Sequence, residues 1–139
     1  MEGAQNKVHA TWSGDGERSI VLYDDNPDDG YLITRQLKNG GIGGQLQFFG
    51  SAGAARAYLS KHPASLLIVA LNNRSEAGFE LLNWVRSQPQ LHRTLIVAAG
   101  ESSLPADIQR AYDLGINAYY TKGIDFNGFP EVLKELIFV

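Results

Sequence analysis

The sequence predicts a single α/β domain in which helices cover both faces of a parallel β-sheet. Short apolar runs alternate with segments whose apolar residues recur at helical spacing, and five such strand–helix units follow one another. This alternation is typical of parallel sheets, because parallel strands need a long crossover connection between them. The length of 139 residues fits one domain with one core.

The composition narrows the classes of protein to which the chain can belong. It is 44% hydrophobic and 19% charged, as in ordinary globular proteins. The longest apolar run is too short to cross a bilayer and the first residues are too polar for a secretory signal, so we expect no membrane partner. The absence of cysteine excludes disulfides and thiolate chemistry, and it favours the cytoplasm. The net charge of −3 argues against a nucleic-acid surface.

Residues 1–18 predict a flexible N-terminal arm that precedes a domain over residues 19–139. The arm has no hydrophobic period and contains three glycines, with Trp12 as its only candidate anchor.

The first unit begins with the apolar run at residues 20–23, which predicts a buried strand. Pro27 follows within a few residues and suits the first turn of a helix, where Asp28 and Asp29 complement the helix dipole. We expect this helix to end at Gly40 and to turn three residues inward, namely Leu32, Ile33 and Leu37.

The second and third units continue the same alternation. A strand is predicted at residues 46–49, followed by a helix with Ala52, Ala55 and Leu59 on its inner face. The run at 66–71 is continuous enough to be a strand covered on both faces. The next helix, which ends before Pro89, is marked by Phe79, Leu82 and Val85.

The last two units complete the predicted sheet. Strands are expected at residues 95–98 and 117–121, separated by a helix over 105–114 that is capped by Gly115. The closing helix has an apolar stripe with spacings of three and four residues, formed by Phe129, Val132, Leu133, Leu136 and Ile137.

Ligands of open parallel sheets bind beyond the carboxyl ends of the strands. The residues that follow or end the predicted strands there are Asp24 and Asp25 on the first, Ala70 on the third, Ala99 on the fourth, and Lys122 on the fifth. We therefore expect two carboxylates and one ammonium group in a crevice otherwise lined by small residues.

Three motifs give the chain a resemblance to a known family. Residues 24–29 read DDNPDD, residues 78–82 read GFELL, and residues 114–119 read LGINAY and are followed by Lys122. In this order and spacing they resemble the receiver (CheY-like) domain of response regulators, especially the small stand-alone regulators that act with bacteriophytochromes. The resemblance implies a flavodoxin-like (βα)5 three-layer sandwich with the strand order 2-1-3-4-5.

The resemblance also shows what the chain lacks. A receiver carries its phosphoacceptor Asp eight residues before the glycine that matches Gly78, and that position is Ala70, which has no oxygen to attack phosphorus. The hydroxyl residue expected at the end of the fourth strand is Ala99. Gly123 replaces the proline that follows the family's lysine. The chain is therefore interpreted as a pseudo-receiver, and no catalytic residue is expected.

Asp24, Asp25 and Lys122 remain from the family's site. The resemblance implies that the two carboxylates would bind Mg²⁺ and that Lys122 would pair with phosphoryl oxygens. Without a carboxylate at position 70 we expect at most weak Mg²⁺ binding and no required cofactor. A simpler arrangement is a permanent ion pair between Lys122 and Asp25.

Family members commonly associate through the face formed by the fourth helix, fifth strand and fifth helix, here residues 105–139. The candidate contact residues on that face are Ile108, Tyr112, Tyr119, Tyr120 and Phe138. Of the adjacent Tyr119 and Tyr120 we expect one to be core and one surface, and the first matches an aromatic that reorients on activation. The expected partner is a signalling protein, either a histidine kinase or another receiver-binding protein, and a homodimer is a further expectation.

The leading interpretation is a phosphorylation-independent interaction module in bacterial two-component-type signalling, not an enzyme. One alternative is an ordinary phosphorelay receiver whose acceptor was removed by mutation, although Gly123 and the altered loop after Ala70 favour natural loss. Another alternative is a small-ligand sensor that uses the emptied crevice, with Asp25 and Lys122 orienting a polar ligand. The three histidines have no spacing typical of a metal site or a triad and are expected to face solvent.

Overall fold

The computed structural model describes residues 19–42, 45–72, 74–123 and 128–137, so the predicted arm and Phe138 lie outside the described residues. The strands are β1 Ser19–Tyr23, β2 Gln45–Phe49, β3 Leu66–Leu71, β4 Leu95–Gly100 and β5 Ala118–Thr121. The helices are α1 Pro27–Asn39, α2 Ala52–Lys61, α3 Ala77–Arg86, α4 Pro105–Asp113 and α5 Phe129–Ile137. None of the described helices is long and apolar enough to cross a membrane.

The sheet has the predicted order β2-β1-β3-β4-β5, and every neighbouring pair is parallel. All residues of β3 are buried, which confirms the central strand expected from its continuous apolar run. The β3–β4 register places Ala70 directly beside Ala99. This order confirms the fold class predicted from the alternation of strands and helices, and the strand order that the resemblance implied.

Two apolar cores lie on opposite faces of the sheet. One contains buried residues of α2, α3 and α4 packed on β1, β3 and β4, and the other joins α1 and α5 to the opposite face of the same strands. The predicted inward residues Ala55, Leu59, Phe129 and Leu133 are all buried in these cores. Alternate residues of each strand feed the two faces, as a sheet covered on both sides requires.

Helix α1 begins where it was predicted to begin, because Asn26 caps it. The Asn26 side-chain oxygen accepts hydrogen bonds from the backbone N–H groups of Asp28 and Asp29 at 3.0 and 3.2 Å. The prediction that Leu32 faces inward is wrong, since its side chain is exposed. The buried residues of this helix are instead Gly30, Ile33 and Leu37. Because consecutive residues of a helix are rotated by about 100° about its axis, Leu32 points away from the side on which its neighbour Ile33 is buried.

Arg86, at the end of α3, connects the two segments that precede β4 and β5. Its guanidinium donates hydrogen bonds to the carbonyl oxygens of Gly115 at 2.9 Å, Thr94 at 3.2 Å and Leu91 at 3.3 Å. Burial lowers the pKa of Arg86. The end of the sheet opposite the predicted crevice is thus held by one side chain that the sequence pattern did not single out.

Candidate functional site

A buried charge cluster lies at the carboxyl end of β1. Asp24 is 0% exposed, and its Oδ2 accepts a hydrogen bond from the Lys122 Nζ at 2.8 Å. The same Nζ donates to Asp29 Oδ2 at 3.1 Å, and the Lys122 side chain is only 8% exposed. One ammonium group therefore joins the first strand, the first helix and the turn after the last strand.

The predicted ion pair between Lys122 and Asp25 is wrong. Asp25 is exposed, and its carboxylate accepts a hydrogen bond from the Asn72 side-chain amide. Adjacent residues of an extended segment point in opposite directions, so only one of the two carboxylates can point towards the interior of the protein. That residue is Asp24, which is buried. The second partner of Lys122, Asp29, was predicted only as a complement to the helix dipole. The sequence feature that could have indicated this pairing is the position of Asp29 in the first turn of a helix that begins directly at the site.

The electrostatics of Asp24 reflect its burial. Burial raises the pKa of Asp24 above its usual range, while the hydrogen bond from Lys122 offsets part of that rise. The backbone N–H of Asn26 also donates to Asp24 Oδ1 at 3.0 Å and favours the ionised form in the same way. Both carboxylate oxygens of Asp24 are consequently engaged by the protein itself.

The floor of the site is apolar. Ala70 and Ala99 are 1% and 0% exposed and lie side by side on β3 and β4. The start of α3 packs tightly against the backbone of β3 here, since a Cβ added at Gly78 would lie 2.3 Å from the Ala70 carbonyl oxygen. Neither alanine side chain has an oxygen atom or a hydrogen-bond donor, so these two residues supply no nucleophile.

An open cleft of about 450 Å³ lies beside the buried cluster. It is bordered by loops that follow β1, β3 and β4, and its lining residues are Asp25, Asn26, Pro27, Asn72, Arg74, Ser75 and Glu101. Lys122 does not line it. The expectation that Asp25 and Lys122 together orient a ligand in one crevice is therefore wrong, because the structure separates them.

The donors at this site do not fit a resident Mg²⁺ ion. Magnesium needs several oxygen ligands in near-octahedral geometry, whereas of the two predicted ligands Asp24 is paired with Lys122 and Asp25 alone is accessible. Among the described residues, no group of three His, Cys, Asp or Glu side chains is placed to hold a metal. Weak Mg²⁺ binding by Asp24 and Asp25 stays a prediction.

The turn after Lys122 needs glycine. Gly123 has a φ of +82°, in the left-handed region that residues with a side chain rarely adopt. Proline, whose ring fixes φ near −65°, could not occupy this conformation. The glycine that stands at position 123 in place of the family's proline is therefore required by the conformation of this turn.

Tyr119 and Tyr120 are both half-buried, so the expectation that one of them is a surface residue is wrong. The Tyr119 hydroxyl donates to the Ser102 carbonyl oxygen at 2.7 Å, and its ring lies so close to Gly100 that a Cβ there would be 1.9 Å from the hydroxyl oxygen. The Tyr120 ring packs on Phe129 with centroids 4.8 Å apart. The two tyrosines belong to opposite cores because helices cover both faces of β5.

Among the described residues, the exposed large apolar side chains at the predicted interaction face lie on and just before α4. Tyr112 is exposed and Ile108 is half-buried, and Leu104, which was not predicted as a contact residue, is also exposed. Arg110 of α4 reaches across to pair with Glu76 and covers the Phe79 ring at 3.8 Å from its centroid. The face is therefore a mixed apolar and charged surface. The contact role predicted for its residues stays a prediction.

No family model matches the chain. It is 28% identical to response regulator Rcp1 of Synechocystis sp., over 74% of this chain and 75% of that protein. It is 24% identical to the probable methanogenesis regulatory protein FilR2 of Methanothrix harundinacea, over 84% of this chain and 79% of that protein. Among solved structures, it matches the phosphorylated cyanobacterial phytochrome response regulator RcpA with a TM-score of 0.70 and 26% identity, covering 86% of this chain and 91% of that one.

Proposed function

We propose that this chain, a response-regulator receiver domain of two-component signalling, acts in the cytoplasm as an interaction module that does not use aspartyl phosphate. The observation that carries the proposal is the buried alanine pair at the carboxyl ends of β3 and β4, Ala70 and Ala99. A methyl group cannot form an acyl phosphate, and none of the neighbouring side chains of the floor supplies a substitute.

The pairing of Lys122 supports the same conclusion. In the resemblance described above, this lysine pairs with phosphoryl oxygens. Here its ammonium group already contacts Asp24 and Asp29 at 2.8 and 3.1 Å. A phosphoryl group would have to compete with two carboxylates for a lysine that is 8% exposed. The cluster is thus suited to a permanent structural role.

The inward position of Tyr119 favours a face held in one state. Its hydroxyl donates a hydrogen bond to the Ser102 carbonyl oxygen, and the absence of a side chain at Gly100 leaves room for the ring. We infer that α4 and β5 present a constant surface to a signalling protein, such as a histidine kinase. The amount of complex would then depend on the concentration or state of that partner, and not on phosphorylation of this chain.

The test is intact mass spectrometry after incubation with Mg²⁺ and acetyl phosphate. Three proteins are compared: the natural chain, the double variant Ala70→Asp/Ala99→Thr, and the matched control Ala70→Asn/Ala99→Thr, which has the same shape without an acceptor. We expect no phosphoryl adduct on the natural chain or the control. An adduct on the natural chain would overturn the proposal.

The restored variant separates loss of the acceptor from loss of the whole site. Because Lys122 is held by Asp24 and Asp29, and because Mg²⁺ donors are few, we expect little or no phosphorylation of the Ala70→Asp/Ala99→Thr variant. Efficient phosphorylation of that variant, but not of the control, would favour the alternative of an ordinary receiver that lacks only its acceptor.

A further inference from the structure

The strand β2 forms an open edge of the sheet in the described part of the chain. Its sequence is Gln-Leu-Gln-Phe-Phe over Gln45–Phe49, without a charge or a proline. Natural proteins usually protect such an edge with lysine, proline or a bulge, because its free backbone groups can pair with another strand. The β2 edge has none of these protective side chains.

The backbone of β2 shows which groups point outward. The Phe49 carbonyl accepts a hydrogen bond from the Asp24 N–H at 3.1 Å, so the backbone groups of Phe49 face β1. Since residues along a parallel strand alternate between its two neighbours, those of Gln47 also face β1. The N–H and C=O groups of Leu46 and Phe48 are then directed away from the sheet.

Apolar side chains accompany this edge on the α1 side. Phe48 is 39% exposed and the end of its ring lies against α1, because a Cβ added at Gly30 would be 2.3 Å from it. Tyr31, the next residue of α1, is 62% exposed. One exposed aromatic side chain thus lies on the edge strand and a second on the helix that covers it, as at surfaces that become buried in an interface.

We propose that a second copy of this chain pairs with the edge, with β2 antiparallel to β2 about a two-fold axis at Gln47. Leu46 of each copy then lies opposite Phe48 of the other, and the outward N–H and C=O groups of these residues bond to one another. Gln47 lies opposite Gln47 of the second copy on the other face. The result is a continuous sheet across the two copies in which both β2 edges are closed.

The charges of α1 are complementary under this two-fold axis. With neighbouring strands about 4.8 Å apart, the two α1 helices would be antiparallel and within about 10 Å, the distance of packed helices. Along its exposed side, α1 has Asp28 at its start, Lys38 at its end, and Tyr31 and Arg35 between them. Asp28 therefore meets Lys38 of the second copy, whereas a parallel arrangement would bring like charges together.

The aromatic and cationic residues at the centre of α1 fit the same geometry. Within one chain the Arg35 guanidinium already lies 5.8 Å from the centroid of the Tyr31 ring. In the antiparallel pair each arginine can also reach the tyrosine of the second copy, which is a favourable cation–π arrangement. This interface uses the β2 side of the sheet, so it leaves α4 and β5 at the opposite edge free for a different partner.

The first test is sedimentation velocity of the full chain over a range of concentrations. We expect the natural chain to form a dimer, and both Gln47→Lys and Gln47→Glu to raise its dissociation constant about fivefold, because like charges would lie directly opposite each other. Mixing the two variants should restore a dimer that contains one copy of each.

The second test uses the absence of cysteine in the chain. Gln47→Cys should form an intermolecular disulfide in air, because directly opposite residues of this type have Cα atoms about 4.5 Å apart, within the range of a disulfide. Gln45→Cys is the matched control, since it is exposed on the same strand and face. Its own counterpart would be about 14 Å away, too far for a disulfide.

Three results would overturn the proposal. The first is a natural chain that stays monomeric at millimolar concentration, which would mean that another segment or partner covers the edge or that the edge stays open. The second is a dimer whose dissociation constant is unchanged by either charge at position 47. The third is equal cross-linking of the Gln47→Cys and Gln45→Cys variants.

Discussion

Replacing Lys122 by Met removes the ammonium group that Asp24 and Asp29 share, while a side chain of similar length still fills its space. The Met variant therefore isolates the electrostatic part of the cluster from its packing. Asp24 remains buried and hydrogen-bonded to the Asn26 N–H, but it loses the cation that lies 2.8 Å from its Oδ2.

The expected magnitude follows from the burial of the pair. Removing one partner of a buried ion pair costs about 3–5 kcal/mol, because the remaining charge stays out of water without compensation. Asp24 is 0% exposed and belongs to this class, whereas Asp29 is 32% exposed and can be hydrated again. We therefore expect the free energy of unfolding to fall by about 3 kcal/mol at neutral pH, the lower end of that range.

The loss should depend on pH in a defined direction. Burial raises the pKa of Asp24, and a carboxyl whose pKa is raised by folding contributes stability at low pH that is lost as the pH rises through the folded-state pKa. Without Lys122 the pKa rises further, so this loss extends to higher pH. The difference between the natural chain and Lys122→Met should be small near pH 4, about the usual pKa of Asp, and largest at neutral pH.

Urea unfolding followed by circular dichroism at both pH values measures this difference. The control is Asp29→Asn, which removes the more exposed carboxylate and should cost about 0.5 kcal/mol. A loss below about 1 kcal/mol for Lys122→Met, or an equal loss at both pH values, would refute the reasoning that Asp24 is a buried, ion-paired carboxylate.

Three further predictions concern other parts of the fold. Arg86→Met should lower the free energy of unfolding by about 3 kcal/mol in urea, because several carbonyl oxygens would lose their donor. In thermal melts, Gly123→Ala should destabilise by about 1 kcal/mol, since its φ is +82°, while Gly53→Ala within α2 should stabilise by a similar amount. Tyr119→Phe should cost about 1 kcal/mol in urea through its lost hydrogen bond, and Gly100→Ala should cost more because it would clash with the tyrosine hydroxyl.

Each of these predictions has a result that would contradict it. Arg35→Met, at an exposed position, should change the unfolding free energy by less than about 0.5 kcal/mol, and an Arg86→Met variant with the same small effect would mean that Arg86 is not a structural connector. Equal effects of alanine at Gly123 and Gly53 would argue against a left-handed turn after Lys122. A fully tolerated Gly100→Ala would mean that the Tyr119 ring does not lie against β4.

The fold could be predicted because its signals are local. The continuous run of β3, Pro27 after the first strand and the apolar stripe of α5 each have one simple interpretation. Their strict alternation then implies the parallel sheet, and the resemblance supplied the strand order that the structure confirms. The position of Lys122 beside the end of β1 followed from the same topology.

The partners of individual side chains could not be predicted in this way. The choice of Asp24 over Asp25 by Lys122 depends on how the chain turns from β1 into α1, and both residues have the same chemistry. Arg86 resembles any surface arginine at the end of a helix, because its carbonyl partners come from segments distant in sequence. The burial of Tyr120 depends on Phe129 of the following helix, which alternation along β5 alone does not reveal.

The connection between Asp24 and Lys122 spans 98 residues of sequence, from the end of the first strand to the turn after the last. Since β3 and β4 lie between β1 and β5, the two side chains can meet only when these four strands have assembled. Contacts between such distant residues carry a large loop-closure entropy and tend to form late in folding. The contact between Asp24 and Lys122 should therefore form after the main barrier to folding. Its removal should accelerate unfolding while leaving the refolding rate nearly unchanged.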